Sequence, residues 1–303
     1  RSSMCRSIRC FDVHMRKITA AALVLAVAVS AGCSSSEVPD SQVDDAGYHI
    51  RDDTGYYLNP FPGKVFELSG ADPSSFEVFD RTYARDDANV YINGHLLPGA
   101  QADSFELLKR PGFSRDGGRV YQHDRPISVD PDNFELLDSG LAKDSTTVYW
   151  SDGTVLSDDP QGFEIISDVN HYLFAKDSRT VYVNGNPIRG AAPATFRVLQ
   201  GAYSRDDDRA FYFDGQIPDA ELATFRPVEG PYAVDSQHVY WMGKPIDGAD
   251  PATFVILNAN FECSSDGTRA FHRQAVIVSA DPATFPPGRA VTGCSETSMS
   301  FGD

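Results

Sequence analysis

Eight aspartates recur along this chain of 303 residues, at Asp52, Asp86, Asp116, Asp144, Asp177, Asp206, Asp235 and Asp266. Several have acidic neighbours, as in Asp52-Asp53, Asp86-Asp87 and Asp206-Asp207-Asp208. Clustered carboxylates are what Ca²⁺ needs, because a hard cation gathers several oxygen ligands. A dedicated calcium loop, however, reads Asp-x-Asp-x-Asp-Gly and closes on a downstream bidentate Glu. No copy here has that order. Six of the eight instead follow a basic residue (Arg51, Arg85, Arg115, Lys143, Lys176 and Arg205), which suits a turn with local charge pairing. The expectation is a series of turn aspartates, with no metal and no cofactor.

Five residues after each aspartate stands an aromatic: Tyr57, Tyr91, Tyr121, Tyr149, Tyr182, Phe211, Tyr240 and Phe271. A second set runs through Tyr83, Phe113, Phe174, Tyr203 and Tyr232. The exchange of Tyr for Phe at Phe211 and Phe271 marks a core position. Trp150 and Trp241 each directly follow a ladder tyrosine, so strand alternation sends them to the opposite face as candidates for a binding surface. His95, His123, His171, His238 and His272 fall out of register with one another, whereas metal ligands must converge. The chain carries no Gly-x-Ser-x-Gly, His-Glu-x-x-His, phosphate loop or Cys-x-x-Cys. Carboxylates are plentiful but nothing pairs them, so no catalytic residue is expected and a carboxylate-based hydrolase is the weakest reading.

The ends point to export. Met15-Arg16-Lys17 opens an apolar stretch over residues 18–29, too short for the roughly 18 residues that span a bilayer, so it reads as a signal peptide. Residues 1–14 do not fit a signal and read as a mis-assigned upstream start. Ala31-Gly32-Cys33 resembles a bacterial lipobox, in which the cysteine is acylated, although Ser30 stands where that motif usually has Leu. Residues 34–47 are polar and short of large apolar side chains, hence a flexible tether. By the same resemblance, Ser34 rather than Asp after Cys33 implies an outer-membrane anchor facing the periplasm. In that oxidising compartment Cys263 and Cys294 are expected as a disulfide, the alternative being two buried thiols. Removing residues 1–33 takes away five basic residues and one acidic residue and carries the formal charge from −17 to −21. Such a surface repels nucleic acid and anionic lipid and suits a basic partner.

All of these residues are positioned by one repeated unit. A phenylalanine recurs at Phe76, Phe105, Phe134, Phe163, Phe196, Phe225, Phe254 and Phe285, with steps of 29, 29, 29, 33, 29, 29 and 31. A fixed period near 30 specifies a repeat architecture. Within one copy, Tyr83-Ala-Arg85 and Val90-Tyr91-Ile92 read as strands, and Asn93-Gly94 as a two-residue hairpin turn. The turn signal recurs at Asn184-Gly185 and, one residue later, at Asp152-Gly153 and Asp214-Gly215. Asp-Pro-x-Thr-Phe then opens one helical turn and drops its Phe into the core. The expected fold is all-β, residues 48–288 forming a tandem array of eight β-hairpin repeats and 289–303 a tail. An open superhelix is preferred to a closed propeller-like ring, because 29 residues are few against the roughly 40–45 of familiar propeller blades. The 33-residue step contains His171 and Tyr172, an insertion that is either a loop on the binding face or simple drift.

The aspartate, the Val-Tyr four and five residues later, the Gly turn and the Ala-Asp-Pro-x-Thr-Phe ending together resemble the DKNYY family. Those repeats read like Asp-Lys-Asn-x-Val-Tyr-Tyr-x-Gly, and the likeness runs over residues 48–285. Ser, Asp or Gly replaces the family's frequent Lys-Asn, as in Asp144-Ser-Thr-Thr, but at loop positions. The resemblance implies an exported or envelope repeat protein and brings no established catalytic residue. The expected function is a membrane-anchored, non-enzymatic module that binds a protein partner, one form being an immunity protein. The alternative is an envelope structural or glycan-binding protein.

Overall fold

The computed structural model describes residues 46–60 and 63–302. The signal segment, Cys33 and nearly all of the tether lie outside them. Among the described residues no helix is long and apolar enough to cross a membrane.

One unit shows how the sequence builds the rest. Tyr83–Arg85 pairs antiparallel with Val90–Ile92, in the register Tyr83↔Ile92 and Arg85↔Val90. Asn93 and Gly94 adopt φ of 49° and 76°, the left-handed pair that a two-residue turn requires, and His95–Leu96 returns along Val90–Ile92. Glu77–Val78 closes the other edge against Tyr83–Arg85. The unit is thus a four-stranded up-and-down meander, and the described residues contain seven of them. Four strands fit into so short a period because most are only two to four residues long. The first sheet has three strands, Gly47–Arg51, Thr54–Leu58 and Val65–Glu67. The array is open: among the described residues no strand of a late sheet pairs back onto the first.

Two turn signals land differently from expectation. At Asp214-Gly215 the turn residues are Phe213 and Asp214, and Gly215 already belongs to the returning strand. At Asp152-Gly153 only the glycine is left-handed, and the loop is longer.

The core lies between neighbouring sheets. One buried cluster joins Tyr83, Val90, Ile92 and Leu97 of one unit to Phe105 and Tyr121 of the next, and Tyr203 with Ile217 meets Phe225 and Tyr240 in the same way. All eight ladder aromatics are buried. The recurrent Phe ends a tight turn, a 3₁₀ segment at Ala102–Ser104, Pro131–Asn133 and Pro282–Thr284. In the last of these Asp281 accepts from the Ala283 N–H at 2.9 Å, which the Asp-Pro signature encodes.

Seven of the eight aspartates are buried, and five of them join three parts of the fold. Asp116 Oδ1 accepts from the N–H groups of Gly118 and Arg119, both at 2.8 Å. Its Oδ2 accepts from the ladder hydroxyl of Tyr121 at 2.9 Å and from the Gln101 N–H, in the preceding linker, at 2.9 Å. Asp86 and Asp235 repeat all four bonds. In Asp144 and Asp177 the linker N–H is replaced by the hydroxyls of Ser128 and Ser157, at 2.6 and 2.7 Å. Asp206 and Asp266 face Phe211 and Phe271 and do without the phenol, keeping the linker N–H groups of Ala192 and Asp250. Burial by itself pushes these carboxyls up. The hydrogen bonds outweigh it and hold Asp86, Asp116, Asp144, Asp177, Asp235 and Asp266 below the ordinary carboxylate range. Asp52 departs from the series. It is exposed at φ 49° in the two-residue turn Asp52-Asp53.

In four units the basic residue before the aspartate (Arg85, Arg115, Lys143 or Lys176) pairs with a glutamate across the sheet rather than with the aspartate. Arg85 meets Glu77 at 2.8 Å and Arg115 meets Glu106 at 2.6 Å. Side chains at this position also reach the linker of the next unit: Arg85, Arg115, Lys176 and Arg205 donate to the carbonyls of Ala102, Pro131, Pro193 and Leu222 at 2.7–3.2 Å.

Residues beyond the last full unit form a hairpin, Val291–Ser295 with Ser298–Phe301, in the register Ser295↔Ser298. Phe285 meets Phe301 at 5.2 Å between ring centroids, as Phe76 meets Tyr91 at 5.6 Å and Phe225 meets Tyr240 at 5.6 Å. Phe301 therefore stands where a ninth ladder aromatic would, with Glu296 in the aspartate's place five residues before it. Cys263 and Cys294 are joined by a disulfide that fastens this half-unit to the eighth sheet.

The carboxyls titrate lower folded than unfolded, so their stabilisation is present above about pH 4 and is lost as pH falls through the folded values. Burial and the Asp116 carboxylate push the Tyr121 phenol up to about 12, and burial takes Tyr83 to about 12. For phenols the stabilisation is complete below about pH 10 and is lost as pH rises through the folded values. Urea unfolding should therefore show a plateau from about pH 5 to 10 with losses on both sides. At pH 7, Asp116→Asn should cost about 2–3 kcal/mol, because a carboxamide presents a donor to Tyr121 or Gln101, whereas Tyr121→Phe should cost about 1 kcal/mol. Reducing the disulfide, which closes 31 residues, should lower the melting temperature. Phe301→Ala should add a further loss of about 1–2 kcal/mol, read by thermal melts with and without reductant.

Candidate functional site

The aspartates cannot serve as a cation row. Each buried carboxylate accepts on both oxygens, from backbone N–H groups joined by hydroxyl donors in all but Asp206. Among the described residues no three His, Cys, Asp or Glu side chains come together as a metal site. The histidines are scattered: His95 stacks on Phe66 at 5.3 Å, and the ring of His123 covers Gly112.

Trp150 and Trp241 are half-buried, each against the following unit. A Cβ added to Gly185 would come within 3.1 Å of the Trp150 indole, so Gly185 is required there by this approach as well as by its φ of 79°. Trp241 Nε1 reaches the Phe261 carbonyl at 3.4 Å, and the Arg273 guanidinium lies 5.7 Å from the ring centroid. Both indoles are therefore joints between units, with limited ring surface left to a ligand.

His171 and Tyr172 sit on a longer hairpin. The four extra residues extend Glu164–Val169 and Tyr172–Lys176 beyond the equivalent strands, with Asn170 and His171 at φ of 54° and 68° in the turn. Residues 168–171 are exposed, including Val169 at 59%. Tyr172 is half-buried, edge-on to Phe213 of the next unit at 6.4 Å. The insertion thus places His171 at an exposed tip and Tyr172 at its base.

A cleft of about 520 Å³ opens between the second and third sheets, lined by Asp80, Tyr83, Asn93, Lys109, Gly112 and His123 among others. Asp80 is the cleft's carboxylate, and its Oδ1 is occupied by the N–H groups of Thr82 and Tyr83 at 2.7 and 2.8 Å. The lining holds no second carboxylate and no thiol to pair with it. The other ionisable side chains of the lining are Tyr83, Lys109, Arg110 and His123. No residue pattern announces this cleft, because it depends on how consecutive units meet.

No curated protein and no solved structure matches the chain. The DKNYY family does, over residues 16–125, 48–214 and 142–275. These overlapping stretches take in the recurrent aspartates, the ladder and every linker turn described above except the last, at Pro282–Thr284. Among the described residues no three metal-ligating side chains come together, and the chain belongs to the DKNYY family.

Proposed function

We propose that this chain is an exported, lipid-anchored envelope protein whose β-repeat domain binds a protein partner. The observation that carries this reading is the inward use of the recurrent carboxylates. The conspicuous chemistry of the sequence holds units together and leaves a long stacked surface, the usual binding device of repeat proteins. The signal-like segment and Cys33 supply the anchor, residues 34–47 the tether, and the outer membrane facing the periplasm is the proposed location. The acidic balance suits a partner whose own surface is basic, as in an immunity protein that neutralises a toxin. The exposed tip around His171 adds a projecting contact. Burial of Trp150 and Trp241 against neighbouring units favours a protein over a glycan as ligand.

The test is capture from envelope extract on the immobilised chain, with bound proteins identified by mass spectrometry in the presence and absence of a chelator. One dominant protein, equally retained with chelator, is the expected outcome. Capture of glycan alone, or of nothing, would overturn the reading.

A further inference from the structure

The residue after each core phenylalanine lies exposed on the edge strand, and its charge forms a row along the array: Glu77, Glu106, Glu135, Glu164, Arg197, Arg226 and Val255. In the first four, the register sets the glutamate opposite a basic residue: Arg85, Arg115, Lys143 and Lys176. Each forms an ion pair, at 2.6–3.7 Å.

The sign reverses at Arg197. Its cross-strand partner is Arg205, so two cationic side chains start from directly opposed positions, an arrangement that destabilises a sheet. Arg205 is held in place, because its Nη1 donates to the Leu222 carbonyl at 2.7 Å and its Nε to that of Asp206 at 3.1 Å. Arg197 remains half exposed, with Asp207 at 3.6 Å as its acid. In the next sheet Arg226 stands exposed opposite Val234, and among the described residues it forms no ion pair. The strands Arg197–Gln200 and Arg226–Pro227 lie against each other, so Arg197 and Arg226 stand on neighbouring edge strands, with Arg205 on the strand paired to the first.

We infer that Arg197, Arg205 and Arg226 form a docking patch for an acidic segment of a protein partner. The inference rests on the reading of the domain as a protein-binding module and adds the chemistry of one contact. The counter-charge is identified by the earlier units, where a carboxylate from an extended strand sits on the same basic position. A partner carboxylate would take the place of that glutamate, and the planar fork of an exposed arginine accepts it in two-point geometry. On a chain with formal charge −17, such a patch fixes the orientation of a partner that is elsewhere basic.

The test is a fluorescence-anisotropy titration of the full chain with a short labelled peptide alternating Glu and Ser, against its Gln-and-Ser counterpart. Vesicles of phosphatidylglycerol form a third arm. Binding of the acidic peptide alone is expected, weakening with salt and falling at least about tenfold in Arg197→Glu/Arg226→Glu. Lys109→Glu, an exposed cation in another unit, should leave it unchanged. Unaltered melting curves confirm that the variants fold, and Arg197→Gln/Arg226→Gln replaces the reversal if they do not. No binding of the acidic peptide, equal binding by the double variant, or binding of vesicles without peptide would each overturn the patch. In the capture experiment, a partner retained equally by the double variant removes the patch but leaves the module. A chain that captures no protein removes the module, while the titration still decides the patch.

Discussion

A buried carboxylate is costly unless every lone pair it can offer is used, and this fold is organised around meeting that demand seven times. In each case the turn supplies two N–H groups, which fixes the loop between the inner strands. The remaining oxygen reaches outside the hairpin to the linker that arrives from the previous unit, and in five of the seven also to the ladder hydroxyl. Local turn geometry and longer-range placement thus share one group. Losing the aspartate would free the loop, the ladder side chain and the linker together, which is why the units cannot be treated as independent hairpins.

The joints between units show how far the pattern can vary. Tyr48 and Tyr203 each donate to a carbonyl of the next unit, Thr82 at 2.9 Å and Pro231 at 2.6 Å, and accept from its hairpin glycine, Gly94 at 3.0 Å and Gly243 at 3.2 Å. The next inner strand then carries a small alanine, Ala84 or Ala233. Where the hairpin lacks a glycine, at His123-Asp124 and Arg273-Gln274, that position is Ser114 or Ser264, whose hydroxyl lies beside the buried phenol of Tyr83 or Tyr232. The C-terminal hairpin extends the logic, with Phe301 taking the ladder position without a complete unit behind it.

Much of this was legible in the sequence, because the information is local and repeated. Val90-Tyr91-Ile92, Asn93-Gly94 and the Asp-Pro-x-Thr-Phe turn each encode their own geometry. What was not legible depends on a neighbour. Asp52 has the spacing of its counterparts, yet it lies exposed because the first hairpin pairs Arg51 with Thr54 and leaves a two-residue turn with no pocket. Trp150 alternates away from its ladder tyrosine, but the side it reaches is covered by Gly185 of the next unit. The basic residues before the aspartates signalled charge pairing, while their reach to the next linker carbonyl needed the stacking distance between sheets.

The same division bears on function. Interactions that recur in every unit are explained by stacking, so recurrence by itself is not evidence of a binding site. Information about a partner has to reside where units differ at exposed positions without a stacking consequence. The hairpin tip carrying His171 is one such place, since its added residues extend beyond the strands that neighbouring units share. The change of sign between Glu164 and Arg197 is the other, and it carries the stronger argument. A like-charged cross-strand pair costs stability in the free protein, whereas a longer loop can be nearly neutral. The free fold meets that cost with Asp207 and with the Leu222 and Asp206 carbonyls, and a partner carboxylate would add the counter-charge that a glutamate supplies in the earlier units.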